Sequence, residues 1–231
     1  MQKYVFYDFE TTGISPAFDQ PLQFAAIITD ENFKAIERIN IRCQAAPHIL
    51  PSPYALKVTK IDPEKTADKS LPTAFNFAQT LQRFTEELAP ACWIGYNSIA
   101  FDETMMRQMF YQNLQPEIFA TQINGNSRLD VMKMVFATYS EAPGVLTWPV
   151  SDNGNTSFKL DRLAPANGFA HENAHDALAD VEATIFIFKK IRDGAPELFK
   201  KLVDAGDKTI TSSSLKSFLP MEVTLRFGGN A

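Results

Sequence analysis

Lys3-Tyr4-Val5-Phe6-Tyr7-Asp8-Phe9-Glu10-Thr11-Thr12-Gly13 (KYVFYDFETTG) is the stretch on which the fold turns. Lys3 to Tyr7 reads as a strand with both faces mostly buried, as strands inside an α/β sheet are. Asp8 and Glu10 follow where that strand leaves the core. Residues i and i+2 of a strand point to one side, so the two carboxylates project together. Sites in open α/β sheets gather at the carboxyl ends of strands. The Thr11-Thr12-Gly13 turn then offers backbone N–H groups to a phosphate oxygen. Alone the pair is weak evidence, because a solvated strand end carries carboxylates equally well.

Working outward, Leu22–Thr29 (LQFAAIIT) and Ala35–Cys43 (AIERINIRC) read as two more strands joined by the turn residues Asp30-Glu31-Asn32, which predicts an antiparallel meander. Pro47, Pro51 and Pro53 break the pattern. Ala74, Phe77, Ala78, Leu81, Phe84 and Leu88 then recur at helical spacing, ending before Pro90. Ala91–Tyr96 is a short buried strand, Asp102–Tyr111 a Met-rich helix, and Leu129–Tyr139 a further helix. Glu141–Thr156 reads as a loop, and a short helix follows with Ser157 as its cap and Pro165 ending it early. Ala177–Ile191 is the strongest helix, followed by one near Pro196–Val203. Gly206–Ser217 reads as a polar, Ser-rich linker, and the closing PMEVTLRFGGNA as one strand, either an edge strand or the start of a second domain. The fold class expected is α/β, a mixed sheet covered by helices.

At 231 residues the chain suits one well-packed α/β domain with a small appendage. A hydrophobic fraction of 45%, with 19 Phe, is that of a folded globular protein. The net charge of −5 argues against holding nucleic acid by bulk charge, but a local site can bind a polyanion if metal ions supply the positive charge. Cys43 and Cys92 sit in apolar runs without zinc-type spacing, as buried thiols in a reducing compartment do. The longest strongly apolar run, Ala183–Phe188, is too short to span a bilayer, so a cytoplasmic location is expected.

Two further acidic places join the first. Asp102 begins a helix just after the strand end Gly95-Tyr96-Asn97, where the helix dipole favours an acid in any case. Between His171 and Glu182 stand Glu172, Asp176, Asp180 and Glu182, with no Lys or Arg. The simplest arrangement puts His175 in the loop before the helix, Asp176 at its N-cap and Asp180 one turn inside, near the apolar stripe. Asp8, Glu10, Asp102 and Asp180 cannot all stay ionised within a few ångströms without counter-ions. Hard cations such as Mg²⁺ or Mn²⁺ resolve this, and a pair about 4 Å apart stabilises in-line phosphoryl displacement. His175, titrating near neutrality, can take the proton of the attacking water.

DFETTG, GYNSIAFD and AHDALAD, in this order, resemble the three motifs of the DEDDh 3′→5′ exonuclease family. PLQFAAI, FYQN, NSRLD, SFKL, ANG and NAHDALADV narrow the likeness to the catalytic domain of bacterial exonuclease I, over roughly residues 4 to 205. The resemblance implies an RNase H-like fold: a five-stranded mixed sheet, antiparallel meander then parallel strands, flanked by helices. It implies Asp8, Glu10 and Asp180 as direct ligands of two Mg²⁺ ions, for which Mn²⁺ substitutes, with Asp8 bridging. Asp102 holds the second ion through water and His175 is the general base. It also implies substrate contacts from Glu10, Thr11 and Thr12, and a basic contact at Lys159, where the family carries Arg in SFRL. The expected domains are 1–205, catalytic, and 206–231, a linker and the start of an SH3-like domain that is cut short.

The implied activity is metal-dependent 3′→5′ hydrolysis of single-stranded DNA to 5′-mononucleotides by a monomer with a DNA-repair role. Single-stranded-DNA-binding protein is a partner implied through a missing C-terminal region. Three other readings stay open: a 3′→5′ exoribonuclease trimming RNA ends, a proofreading module of a DNA polymerase, and a non-catalytic nucleic-acid binder. Asn97 is a further substrate-contact candidate. Arg107, Arg128 and Lys159 can reach phosphates, and surface solvation accounts for any one of them equally well. Phe101, Tyr111, Phe119, Trp148 and Phe158 are candidates for stacking on bases; core packing is the competing use of each, and Trp148, in a loop, is the best placed.

Overall fold

β1 (Lys3–Thr11) runs further than the apolar run alone suggests, because β2 (Pro21–Thr29) pairs with it antiparallel as far as Glu10 opposite Gln23 and Thr11 opposite Pro21. Asp8 and Glu10 therefore lie inside the strand, fixed by its ladder, rather than beyond its end. The computed structural model describes residues 3–170 and 176–217. β3 (Ala35–Arg42) completes the meander; the turn before it is closed by Asp30 Oδ1, which accepts from the N–H groups of Asn32 and Lys34, both at 2.9 Å. β4 (Ala91–Gly95) and β5 (Ser127–Asp130) add in parallel on the other side of β1, giving the order β3-β2-β1-β4-β5. This is the expected RNase H-like mixed sheet.

Helices cover both faces. The helices are α1 (Pro53–Thr59), α2 (Pro63–Thr66), α3 (Ala74–Leu88), α4 (Asp102–Gln112), α5 (Val131–Glu141), α6 (Leu160–Ala166), α7 (Ala177–Gly194), α8 (Pro196–Gly206) and α9 (Lys208–Lys216). Strand alternation sends Val5, Tyr7 and Phe9 to one face, where they pack with Phe77 and Leu81 of α3 and Met106, Met109 and Phe110 of α4. Phe6 points the other way, into a core with Val181, Ile187, Phe188 and Ile191 of α7. There Phe188 meets the rings of Phe6, Phe33 and Phe199 edge-on at 4.9–5.2 Å. Each such fully buried side chain contributes about 1.5–3 kcal/mol.

Several boundaries differ from the sequence reading. Leu129 and Asp130 belong to β5, and the helix begins at Val131 because Asp130 caps it, accepting from the Met132 N–H at 3.0 Å. Pro53 does not merely break structure; it opens a short helix, as Pro63 does the next, where its missing N–H costs nothing. Ser157 is not the cap of α6: Lys159 holds that position, and Pro165 is accommodated inside the helix. The stretch read as a linker folds as α9, capped by Asp207 Oδ1, which accepts from Thr209 N and Ile210 N at 2.7 and 3.2 Å. The closing strand reading, and with it the SH3-like start, lies outside the described residues. Among the described residues no helix is long and apolar enough to cross a membrane. Cys43 and Cys92 are buried free thiols, as expected.

Candidate active site

The site forms where β1 passes between α4 and α7. Asp8 and Glu10 lie on the α7 face of β1, by alternation from Phe6. Asp176 caps α7 by accepting from the Leu178 N–H at 3.0 Å, and Asp180 stands one turn in, its N–H donating to the Asp176 carbonyl at 3.0 Å. Carboxylate oxygens of Asp8, Glu10 and Asp180, one from each, all lie within 4.8 Å of one another.

Asp102 approaches from the other helix. β4 leaves the ladder after Gly95, where a Cβ would meet the Ser98 side chain at 2.5 Å and the Tyr7 carbonyl at 3.1 Å, so the following loop folds back tightly over β1. That loop carries Asn97 in a left-handed conformation (φ 62°), which Asn tolerates. It delivers the first turn of α4 to the end of β1, where Asp102 Oδ1 accepts from the Phe9 N–H at 3.1 Å. Asp102 is 3% exposed and Glu10 8%.

Burial and mutual repulsion act together on these acids. Loss of solvation, then the charges of Asp102, Glu10 and Asp180, pushes Asp8 well above the ordinary carboxylate range. Burial first, then Asp180, Asp102 and Asp176, raises Glu10 to about 9, against a small opposing pull from Arg42. Asp102 is raised to about 8 by burial, partly offset by the Phe9 N–H. Three converging carboxylates held against their own charge fit a hard divalent cation, which takes oxygen ligands and relieves the repulsion. The donor set contains no thiolate.

The remaining sequence candidates separate. His175 lies outside the described residues. Thr12 is fully buried with its groups engaged: its N–H donates to the Gln20 carbonyl at 2.9 Å, and its hydroxyl donates to Asp19 and accepts from the Gln20 N–H. It shapes the turn instead of presenting its amide to a phosphate. Thr11 donates its hydroxyl to the Gly13 carbonyl at 2.7 Å. Arg128 is not on the face of Asp8 and Glu10. It pairs with buried Glu103 at 3.2 Å, under the opposite face. Arg107 donates to the Glu103 carbonyl and stacks over Phe119. Lys159 is exposed, one residue after Phe158, whose carbonyl accepts from the Tyr96 hydroxyl beyond β4. Trp148 and Phe158 are committed to packing: Trp148 meets Tyr139 and Phe158 edge-on at 4.9 and 6.0 Å and donates to the Pro143 carbonyl. Tyr111 remains 66% exposed and Phe119 44%.

The sequence reading overlooked two groups. Asp130 holds the loop that delivers Asp102, accepting from Asn97 N at 2.9 Å and Ile99 N at 3.3 Å besides capping α5. Its only signal was its place in NSRLD. Arg42, on β3 opposite Gln23, donates to the Gln23 side chain at 3.2 Å and is the cation whose charge reaches Glu10.

Known proteins share this fold. The chain is 40% identical to exodeoxyribonuclease I of Haemophilus influenzae over 217 residues, 88% of this chain and 45% of that protein. It superposes on Escherichia coli exonuclease I in complex with a dT13 oligonucleotide with a TM-score of 0.86 and 35% identity, over 92% of this chain and 46% of that one. A zinc-bound form of an E. coli ExoI–ssDNA complex matches at 0.85 with 34% identity, over 93% and 45%. The chain thus spans about half the length of the relatives it matches. The exonuclease model RNase_T matches residues 5–188, and the chain belongs to that exonuclease family.

Proposed function

We propose that the chain is the catalytic part of a 3′→5′ exodeoxyribonuclease that hydrolyses single-stranded DNA to 5′-mononucleotides in the cytoplasm. The observation that carries this is the convergence of Asp8, Glu10 and Asp180 within 4.8 Å, beside Asp102, in a family exonuclease fold. The E. coli relative's complex with dT13 supports the choice of single-stranded DNA. Residues 1–205 are taken as the catalytic domain, and the segment from 206 as leading toward a second one.

Asp8, Glu10 and Asp180 would hold the divalent ions, two Mg²⁺ with Mn²⁺ as a substitute, and Asp102 would act on the second through water. When bound, such ions supply Lewis-acid stabilisation of charge at the attacking and leaving oxygens. The protein's own part is geometric and electrostatic. β1 and α7 fix three carboxylates on rigid elements, so little rearrangement precedes reaction. The buried end of α4 keeps bulk water from Asp102. His175, in sequence just before the α7 cap, takes the proton of the attacking water. Lys159 and Asn97 are assigned to the strand backbone; Lys159 offers a point charge where Arg would offer a fork.

The deciding experiment is a product-length time course on matched 5′-labelled DNA and RNA oligomers, with and without Mg²⁺. Stepwise shortening from the 3′ end of DNA, dependent on the cation, is expected. Faster loss of RNA would replace the DNA reading by an exoribonuclease.

A further inference from the structure

Behind the acidic cluster, on the α3/α4 face, lies a second buried carboxylate that the proposed chemistry does not use. Glu103 is 1% exposed, yet both of its oxygens are occupied. Oε1 accepts from the Tyr7 hydroxyl at 3.0 Å. Oε2 accepts from the Thr121 hydroxyl at 2.8 Å and from Arg128 at 3.2 Å. Its backbone is held as well, its N–H donating to the Ser98 carbonyl at 2.8 Å and its carbonyl accepting from Arg107 at 3.1 Å.

The sequence positions matter. Tyr7 immediately precedes Asp8, and Glu103 immediately follows Asp102. Alternation along β1 sends Tyr7 and Asp8 to opposite faces. The first turn of α4 is therefore tied to β1 at two neighbouring points, Asp102 to the Phe9 N–H and Glu103 to the Tyr7 hydroxyl. Consecutive Cα atoms are fixed about 3.8 Å apart, so a shift of Glu103 moves Asp102 with it. Apolar contacts between α4 and the sheet would hold the helix against β1 but allow it to slide. Two directional bonds on adjacent residues set its register. Arg128 supplies the positive charge beside a buried carboxylate, which is costly to bury alone.

We propose that Tyr7 and Glu103 form a positioning clamp that sets the separation of the Asp102 and Asp8 carboxylates, with Arg128 as its countercharge; this rests on the metal-site reading above. The clamp acts through the carboxylates and touches no substrate.

The test uses Tyr7→Phe, which removes only the hydroxyl and keeps the ring packing, together with Glu103→Gln and the double variant. Mn²⁺ binding is measured by calorimetry, and steady-state hydrolysis of a labelled oligonucleotide at saturating cation. Tyr7→Phe should weaken Mn²⁺ binding by about tenfold, as loss of a support behind metal ligands commonly does. It should lower kcat and leave the KM for the oligonucleotide unchanged. The double variant should bind Mn²⁺ no worse than Glu103→Gln, because both changes break one tie. A folded Tyr7→Phe protein that melts lower but keeps wild-type Mn²⁺ affinity and kcat would make the bond merely structural and overturn the clamp alone. A wild-type chain that binds no Mn²⁺ would overturn both the clamp and the reading beneath it.

Discussion

On the α7 face of the sheet, Asp8 and Glu10 meet other carboxylates; on the α3/α4 face, Glu103 meets two hydroxyls and a guanidinium. Tyr7 immediately precedes Asp8 on β1, and Glu103 immediately follows Asp102 on α4, so both kinds of acid are reached from neighbouring positions of the same two elements. A buried acid given donors on both oxygens is a structural tie. Buried acids aimed at one another are a destabilised group that gains from a cation. On the proposed reading the difference separates the acids assigned to the chemistry from the one assigned to hold them, which acidity alone does not.

The largest effect expected from this contrast is at Asp8. Asp8→Asn should lower the hydrolysis rate by on the order of 10³-fold or more, as removal of a group central to the reacting charge does. It should also raise the melting temperature of the metal-free protein at pH 8, because the cost of burying an acid among the others is gone. A metal-free melt that falls would mean the cluster is not repulsive.

Glu103→Gln should do the reverse on stability. A glutamine cannot accept from all three donors, and the loss should be about 2–3 kcal/mol by chemical denaturation. A neutral result would remove the distinction between the two faces.

pH sharpens the same comparison. Glu10 and Asp102 are raised to about 9 and 8 from ordinary values of 4.5 and 3.8. The folded, metal-free chain thus binds more protons than the unfolded chain between those limits. The stability linked to these groups is full below the unfolded values and is lost as pH rises through the folded ones. Melts in a chelator should fall from pH 6 to pH 9, and added Mg²⁺ or Mn²⁺ should restore most at the alkaline end. A chelator melt that rises over this range would contradict the raised values.

The smallest effect is expected at Lys159, which is exposed and outside both networks. Lys159→Ala should weaken oligonucleotide binding a few-fold and reduce its salt slope by about 0.7, the share of one phosphate contact on a single strand. An unchanged slope would take Lys159 out of the substrate path.

Much of the site was legible in sequence because strand and helix periods are local. The spacing of Asp8 and Glu10 put both on one side of β1, and a short polar residue before an apolar run marked Asp176 as the α7 cap. Other features left no such trace. β5 is four residues long and polar at its start, and became a strand only through pairing with β4. α9 is Ser-rich, and its helical state follows from the Asp207 cap and packing beside α8. Thr12, Arg128 and Trp148 had the right chemistry for substrate contact, but the folded chain engages their polar groups elsewhere, Thr12 with Asp19, Trp148 with the Pro143 carbonyl and Arg128 with Glu103.

By itself, then, the sequence determined the sheet's meander, the strongest helices and the candidate acids, since each depends on residues within a turn or two. Tertiary structure alone decided which acids converge and which one is met by hydrogen-bond donors. Those outcomes depend on contacts between residues about 90 to 170 positions apart, such as Tyr7 with Glu103 or Asp8 with Asp180, whose charge and hydrogen-bonding partners no local pattern encodes.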